Sequence, residues 1–201
     1  PILQDFNPSD VENIITHSES RLLFAGDIYW QTLDSDRMPD LEAAVIVNNF
    51  SLAYEKEDDK FAQLLSTWEA DFAAKYPAGF SVEDIKYAEV PNEQMILLNY
   101  TSGTTGSSKG VMLSVNNLTG NMVFARDMKK PNSNDYYFYA GGRSLSFLPL
   151  AHAYGCAFDF LACLAAGGHT YLIGRTPSAK ILLKAFAEVK PTVILSVPLI
   201  L

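Results

Sequence analysis

The sequence is poor in basic residues: 201 residues contain 15 Lys and Arg against 23 Asp and Glu, a formal net charge of −8. A nucleic-acid footprint needs clustered Lys and Arg, so no nucleic-acid partner is expected. No apolar run approaches the roughly 18 to 20 residues that a membrane-spanning helix needs. No early segment has the pattern of a secretory leader either. These absences predict a cytoplasmic protein, and they leave peripheral membrane contact and the oligomeric state open.

Cysteine and histidine are also scarce, with 2 and 3 residues. Cys156 and Cys163 lie seven positions apart on a predicted helix, a separation of about two helical turns. That is too far for a disulfide bond, and we expect both residues to be reduced and to lie in the core. His17 and His169 have no Cys, His or carboxylate at ligand spacing, so no zinc site is expected.

The chain does have ample apolar residues for a core, at 48% of the total. Short apolar runs at residues 22–25 and 43–47 are typical of buried strands, and they alternate with segments of helical spacing. This alternation predicts an α/β fold with βαβ units and a parallel sheet. We divide the chain into a first α/β part over residues 1–92 and a second part over residues 93–201.

Helix signals come from capping residues and apolar spacing. Ser9 or Asp10 is predicted to cap a helix that runs to about Glu19, and an apolar stripe on a helix over residues 61–76 is predicted to be core packing. The stripe is formed by Phe61, Leu64, Leu65, Trp68 and Phe72. Further helices are predicted over residues 28–33 and 158–166, and over residues 118–128 with Ser114 or Asn116-Asn117 as the N-cap. Another is predicted to end near Lys190, because Pro191 prevents its continuation.

Strands are predicted in the second part over residues 95–99, 144–148, 170–173 and 192–196. Asp159 lies inside the apolar helix of residues 158–166 and needs a partner or water there. The chain opens on Pro1, without a start methionine, and stops in the apolar run 198–201. Because natural termini are mostly polar and at the surface, we expect a piece of a longer protein.

The most informative stretch is the Gly/Ser/Thr-rich segment from Tyr100 to Gly110, which follows the apolar run 95–99. Glycine lets backbone N–H groups turn towards an anion, and hydroxyls and one lysine add donors for phosphate oxygens. The composition also suits a flexible linker. The strand-like runs on both sides, 95–99 and 111–113, favour an ordered phosphate loop that fits a triphosphate.

The loop does not match the Walker A pattern G-x-x-x-x-G-K-[ST], because Lys109 follows Gly106 by three positions and precedes Gly110. The order Y-T-S-G-T-T-G-x-x-K-G-V over residues 100–111 resembles the phosphate loop of the adenylate-forming superfamily. This superfamily contains acyl-CoA synthetases, peptide-synthetase adenylation domains and firefly luciferases. Ser108 stands where that family usually has proline.

A second motif, L-P-L-A-H at residues 148–152, resembles the superfamily's L-P-[LM]-[AF]-H, whose histidine lies in the substrate cleft. It follows a predicted strand end, where open α/β sheets place ligands, although a lone histidine is often only structural. Residues 146–152 and 190–198 look most like bacterial long-chain fatty-acid–CoA ligases. The resemblance implies part of an N-terminal AMP-binding domain, with a doubly wound, mainly parallel sheet and helices on both faces, and without the C-terminal domain.

The implied activity has two steps: a carboxylate attacks MgATP to give acyl-adenylate and pyrophosphate, and CoA then displaces AMP. The carboxylate would be a long-chain fatty acid, and ATP, Mg²⁺ and CoA would be required. The implied ATP-binding residues are Thr101, Ser102, Gly103, Thr104, Thr105, Gly106, Ser107 and Lys109.

Thr101 is the implied Mg²⁺ ligand. His152 takes the family's catalytic position, and Tyr154 and Gly155 line the acyl pocket with it. Packing alone would also explain Tyr154. The family's adenine, ribose, acidic Mg²⁺-ligand and catalytic-lysine positions lie beyond residue 201, so we expect this chain alone to bind nucleotide weakly and not to turn over.

Three other interpretations stay open. The chain could belong to an enzyme that adenylates an aryl or amino acid for CoA or a carrier protein. It could be a P-loop kinase or ATPase, which is disfavoured because Lys109 is not followed by Ser or Thr. It could also be a nucleotide-binding module without catalysis.

Overall fold

The protein is described by a computed structural model that covers residues 1–101, 109–174 and 176–197. Contacts divide it into two compact units, one over residues 4–89 and the other over residues 1–3, 90–101 and from 109 onward. The domain division at residues 92 and 93 stays a prediction.

The unit of residues 4–89 combines helices with a three-stranded sheet. Its elements are α1 (Pro8–His17), β1 (Leu22–Ala25), α2 (Asp27–Trp30), β2 (Ala43–Ile46), β3 (Leu52–Glu55) and α3 (Lys60–Lys75), with 3₁₀ turns at Ser35–Arg37 and Val82–Asp84. The sheet has the order β1-β2-β3. β1 pairs parallel to β2 and β3 pairs antiparallel to it, so the predicted parallel pairing of these two strands is confirmed, whereas the helix between them ends at Trp30 and not near residue 33. β3 was not predicted.

The start of α1 differs from the prediction. The cap is Asn7, whose side chain accepts a hydrogen bond from the N–H of Asp10 at 3.0 Å, and neither Ser9 nor Asp10 is the cap. Pro8 occupies the first helical turn, where its missing N–H and fixed φ fit best. The helix ends at His17 and not near Glu19, which has a positive φ of 52°.

Two surfaces predicted to be buried are exposed in this unit. β1 alternates between exposed and half-buried residues, whereas β2 is buried throughout as predicted. On α3, Leu64, Trp68 and Phe72 keep 46–61% of their surface, so the predicted core stripe is wrong within the described residues. Helical spacing reports that a face is apolar, and a packing partner decides whether it is buried.

The second unit combines two strand pairs with helices. Its elements are β4 (Met95–Thr101), β5 (Lys109–Ser114), α4 (Val115–Asp127), β6 (Arg143–Ser146), a π-helix (Gly155–Ala162), α5 (Cys163–Ala165), β7 (His169–Leu172) and α6 (Ala179–Val189). β4 and β5 pair antiparallel, and β6 and β7 pair parallel. Ser114 caps α4 in a capping box with Asn117, as one of the predicted alternatives had it.

The predicted strand over residues 192–196 is not formed. Val193 makes a single parallel bridge with Ser144, and the Thr192 hydroxyl accepts a hydrogen bond from the N–H of Arg143 at 2.9 Å. The Arg143 guanidinium donates to the carbonyl oxygens of Val189 and Lys190 at the end of α6. The segment is therefore fixed to β6 at one end without continuing the sheet.

The helix predicted over residues 158–166 begins at Gly155 and is a π-helix as far as Ala162. Residues from α4, the π-helix, α5 and the segment before β6 form one core cluster: Ala125, Phe138, Ala162 and Cys163. Cys156 and Cys163 are both free thiols, as predicted, and burial raises the pKa of Cys156. In the part of the chain that the structure describes, no helix has the length and apolar character needed to cross a membrane.

Candidate functional site

The predicted phosphate loop lies between the two strands of a β-hairpin. β4 and β5 pair in register from Leu97 opposite Leu113 to Thr101 opposite Lys109. The intervening residues Ser102, Gly103, Thr104, Thr105, Gly106, Ser107 and Ser108 lie outside the described residues. The structure therefore places the first and last of the predicted ATP-binding residues, Thr101 and Lys109.

Thr101 and Lys109 form a direct cross-strand pair at the end of the hairpin. Directly opposed residues in antiparallel strands lie about 4.5 to 5.5 Å apart between Cα atoms, with both side chains on one face of the sheet. Both residues are exposed. A hydroxyl and an ammonium group are thus presented side by side where the loop leaves and re-enters the sheet.

The packing around residue 110 explains why this position is glycine, which the sequence pattern did not reveal. Gly110 pairs with Tyr100, and a Cβ atom at this position would lie 3.2 Å from Tyr100 Cζ and 3.1 Å from Leu98 Cδ1. The Tyr100 side chain is 5% exposed, and burial raises its pKa. The residue that breaks the Walker A pattern thus leaves room for a buried ring that supports the hairpin end.

His152 lies in a tight turn between β6 and the π-helix. Its N–H donates to the carbonyl oxygen of Pro149 at 3.0 Å, and its own carbonyl oxygen accepts from the N–H of Cys156 at 3.0 Å. The N–H of Tyr154 donates to His152 Nδ1 at 3.2 Å. Because Nδ1 accepts, the neutral ring carries its hydrogen on Nε2. The exposed histidine therefore offers an N–H donor from a fixed tautomer.

Tyr154 and Gly155 come shortly after His152, where the turn leads into the π-helix, and their environments differ. Tyr154 is 36% exposed, and its ring packs against Phe158 at 5.4 Å between centroids. Gly155 is buried, and a Cβ atom there would lie 2.6 Å from the carbonyl oxygen of Pro149. Gly155 thus allows the π-helix to start against the turn that carries His152.

Helix α4 links the hairpin to the histidine turn. It begins directly after β5 and packs on the π-helix, where the Phe124 ring meets Phe158 edge to face at 6.3 Å. Thr101 and Lys109 at the ends of the predicted loop and the histidine turn are thus parts of one compact unit.

Oxygen donors are the ligands that Mg²⁺ prefers, and the exposed Thr101 hydroxyl is one such donor. Among the described residues, no group of three or more His, Cys, Asp or Glu could hold a metal ion. The Thr101 hydroxyl fits the role of one ligand to an ion that the nucleotide brings with it.

The chain thus combines an α/β fold, a Gly/Ser/Thr-rich loop between paired strands and a histidine turn after a strand end. This combination is typical of a nucleotide-dependent enzyme domain. The family model described as AMP-binding enzyme matches residues 1–201. The chain belongs to the AMP-binding enzyme family.

Relatives within this family include fatty-acid–CoA ligases. The chain is 30% identical over 191 residues to the human long-chain-fatty-acid–CoA ligase ACSBG2, a match that covers 92% of this chain and 26% of that protein. It is 40% identical over 101 residues to the long-chain-fatty-acid–CoA ligase FadD15 of Mycobacterium tuberculosis, covering 50% of this chain and 15% of that protein. The chain therefore spans about a quarter or less of these two relatives.

Solved structures share the fold. The anthranilate CoA ligase AuaEII, in complex with anthranoyl-AMP, matches with a TM-score of 0.71 and 17% identity over 96% of this chain and 34% of that one. A long-chain-fatty-acid–CoA ligase (FadD1) from Archaeoglobus fulgidus matches with a TM-score of 0.66 and 19% identity, covering 98% and 34%. The predicted fold class, that of an acyl-CoA-synthetase-like N-terminal domain, is confirmed.

Proposed function

We propose that the chain is the part of an AMP-forming acid–thiol ligase that supplies the ATP phosphate loop and one wall of the acyl pocket. The reaction converts a carboxylic acid to its adenylate and then to its CoA thioester. The observation that carries the proposal is the Thr101–Lys109 pair at the end of the β4–β5 hairpin, in a chain matched along its whole length by the AMP-binding enzyme model.

Lys109 would hold phosphate oxygens of ATP. Its ammonium group can neutralise charge that develops on the phosphates, and a charge-assisted hydrogen bond is stronger than a neutral one. Thr101 would supply one oxygen ligand to the Mg²⁺ that accompanies ATP, and this ion would neutralise further phosphate charge. Ser102, Gly103, Thr104, Thr105, Gly106 and Ser107 stay predicted phosphate contacts.

His152 would act on the substrate carboxylate through Nε2–H. With Nδ1 engaged by the N–H of Tyr154, the ring can donate one hydrogen bond to an acyl oxygen and so orient the carboxylate for attack on the α-phosphate. Tyr154 would line the acyl pocket with an exposed ring edge. Gly155 contributes to that wall by letting the turn pack closely on the π-helix.

We propose a long-chain fatty acid as the carboxylate, because two of the relatives found, ACSBG2 and FadD15, are named for that substrate. An aryl or amino acid is the alternative. A cytoplasmic location stays a prediction, as do possible contact with a membrane surface and the lack of a nucleic-acid partner.

The test is carboxylate-dependent exchange of labelled pyrophosphate into ATP. It uses the complete gene product with long-chain, short-chain, aryl and amino acids as candidate substrates. Exchange with a long-chain fatty acid and subsequent acyl-CoA formation are expected. Exchange only with an aryl or amino acid would overturn the substrate assignment. Binding of ATP without exchange for any carboxylate would overturn the enzyme proposal in favour of a nucleotide-binding module.

A further inference from the structure

Asp159 is a carboxylic acid without access to solvent. It lies in the π-helix at 0% exposure, and neither carboxylate oxygen has a hydrogen-bond partner among the described residues. Burying a carboxylate without partners is costly. π-Helical turns occur frequently at functional sites, and residues that break local rules concentrate there as well.

The groups around the carboxyl group belong to the end of β6. Burial raises the pKa of Asp159, and the Ser146 hydroxyl and the N–H groups of Leu148 and Phe147 oppose this by lowering it. These donors thus face the carboxyl group, although none makes a hydrogen bond of ordinary geometry with it. The helix is also attached to the strand, because the Ser144 hydroxyl donates to the backbone carbonyl oxygen of Asp159 at 3.1 Å.

The same strand end leads directly into the turn that carries His152. Pro149 follows Leu148, and its carbonyl oxygen accepts from the N–H of His152 at 3.0 Å. That oxygen also lies against Gly155, the first residue of the π-helix. A shift of the strand end relative to the π-helix would therefore move the histidine.

We propose that Asp159 is a positioning residue for His152. Its buried carboxyl group attracts the donor groups of Ser146, Phe147 and Leu148 at the end of β6 and thereby fixes the position of the histidine turn. The catalytic consequence rests on the proposed function. An apolar side chain of similar size would fill the same space but would remove the only acceptor oxygens that Asp159 offers to Ser146, Phe147 and Leu148.

The test compares Asp159→Asn with Asp159→Leu in the complete gene product. Asparagine keeps an acceptor oxygen at nearly the same place, whereas leucine keeps the volume alone. For Asp159→Leu we expect an unchanged or higher thermal midpoint, kcat lower by roughly tenfold because the histidine turn is displaced, and an unchanged KM for ATP. Asp159→Asn should stay within about threefold of the wild-type kcat. A stable Asp159→Leu variant with wild-type kcat would overturn the proposal.

A second readout is independent of turnover. The imidazole ¹⁵N resonances of His152, identified by their loss in His152→Gln, should shift in Asp159→Leu and stay near wild type in Asp159→Asn. Unchanged resonances in a folded Asp159→Leu protein would overturn the positioning role even if the wild type shows no exchange. Absence of exchange in the wild type would by itself contradict only the proposed function.

If Asp159→Leu does not fold, substitutions of two serines, Ser146 and Ser144, test the proposal instead. Both are buried in β6, but the Ser146 hydroxyl faces the carboxyl group whereas that of Ser144 bonds to a backbone carbonyl. Ser146→Ala should shift the His152 resonances and lower kcat by about threefold. Ser144→Ala should lower the thermal midpoint and should change the His152 resonances and kcat less than Ser146→Ala does. Equal effects of the two variants would contradict the proposal.

Discussion

Thr101 and Lys109 stand opposite each other in the antiparallel ladder of β4 and β5, so that one hydroxyl and one ammonium group flank the entry and exit of the predicted phosphate loop. The pairing explains how a loop outside the Walker A pattern can present a cation and an oxygen ligand together. The two residues are expected to serve different parts of MgATP, and each can be tested by its own substitution.

Lys109→Ala should raise the KM for ATP and lower kcat/KM for pyrophosphate exchange. A hydrogen bond to a charged group contributes about 1.5 to 3 kcal/mol, which corresponds to roughly 10- to 100-fold in rate. The matched control is Lys184→Ala on α6, where the ammonium group is 78% exposed and contacts only Glu188 at 3.7 Å among the described ion pairs. Equal kinetics for Lys109→Ala and wild type would show that Lys109 does not contribute to the ATP site.

Thr101→Val should weaken the dependence of exchange on Mg²⁺. Valine keeps the β-branched shape that suits a strand but lacks the hydroxyl, so we expect the Mg²⁺ concentration for half-maximal rate to rise by about tenfold, as for one lost ligand contact. Thr101→Ser retains the hydroxyl and should behave like wild type. If both variants respond alike to Mg²⁺, Thr101 is not a ligand.

Gly155→Ala should destabilise the protein, because a methyl group would lie 2.6 Å from the carbonyl oxygen of Pro149 and the turn would have to move. Overpacking of this kind costs about 1 to 3 kcal/mol, measured as the free energy of unfolding in denaturant, and exchange activity should fall as His152 moves. Gly120→Ala on α4 is the control, since a Cβ atom there meets nothing within 4 Å. It should stabilise the helix by about 0.5 to 1 kcal/mol. A change in the free energy of unfolding with the same sign in both variants would contradict the packing argument.

The sequence was sufficient where a local signal decides the structure. The bounds of β1, the Ser114 cap of α4 and the end of α6 near Lys190 follow from apolar runs, a capping residue and a following proline. The motifs also identified both candidate site segments, whose roles stay predictions. Each of these features depends on residues that are close together in the chain.

The errors arise where distant contacts decide. The apolar stripe of α3 and the outer residues of β1 were predicted to be buried, yet Leu64, Trp68 and Phe24 each stay more than half exposed, because periodicity does not specify a partner. Residues 192–196 have strand composition but form only one bridge, at Val193. The π-helical bonding around Asp159 has no sequence signature, although a lone acid in an apolar helix did indicate a position that needs an explanation.

The raised pKa of Asp159 makes the protein less stable as pH rises. Burial shifts the pKa upwards from its usual value of 3.8, so over the interval above 3.8 the folded protein still holds a proton that the unfolded chain has released. Stability falls with pH wherever the folded state binds more protons. It is highest below the unfolded value and decreases as pH rises towards the folded value.

Asp159→Asn removes this contribution because asparagine does not titrate. The difference in thermal midpoint, variant minus wild type, should therefore increase as the pH rises above the usual carboxyl value of 3.8, because the wild type alone bears the growing cost of ionising a buried acid. A difference that stays constant across this range would mean that the Asp159 carboxyl group titrates alike in the folded and unfolded states, and that its burial carries no electrostatic cost.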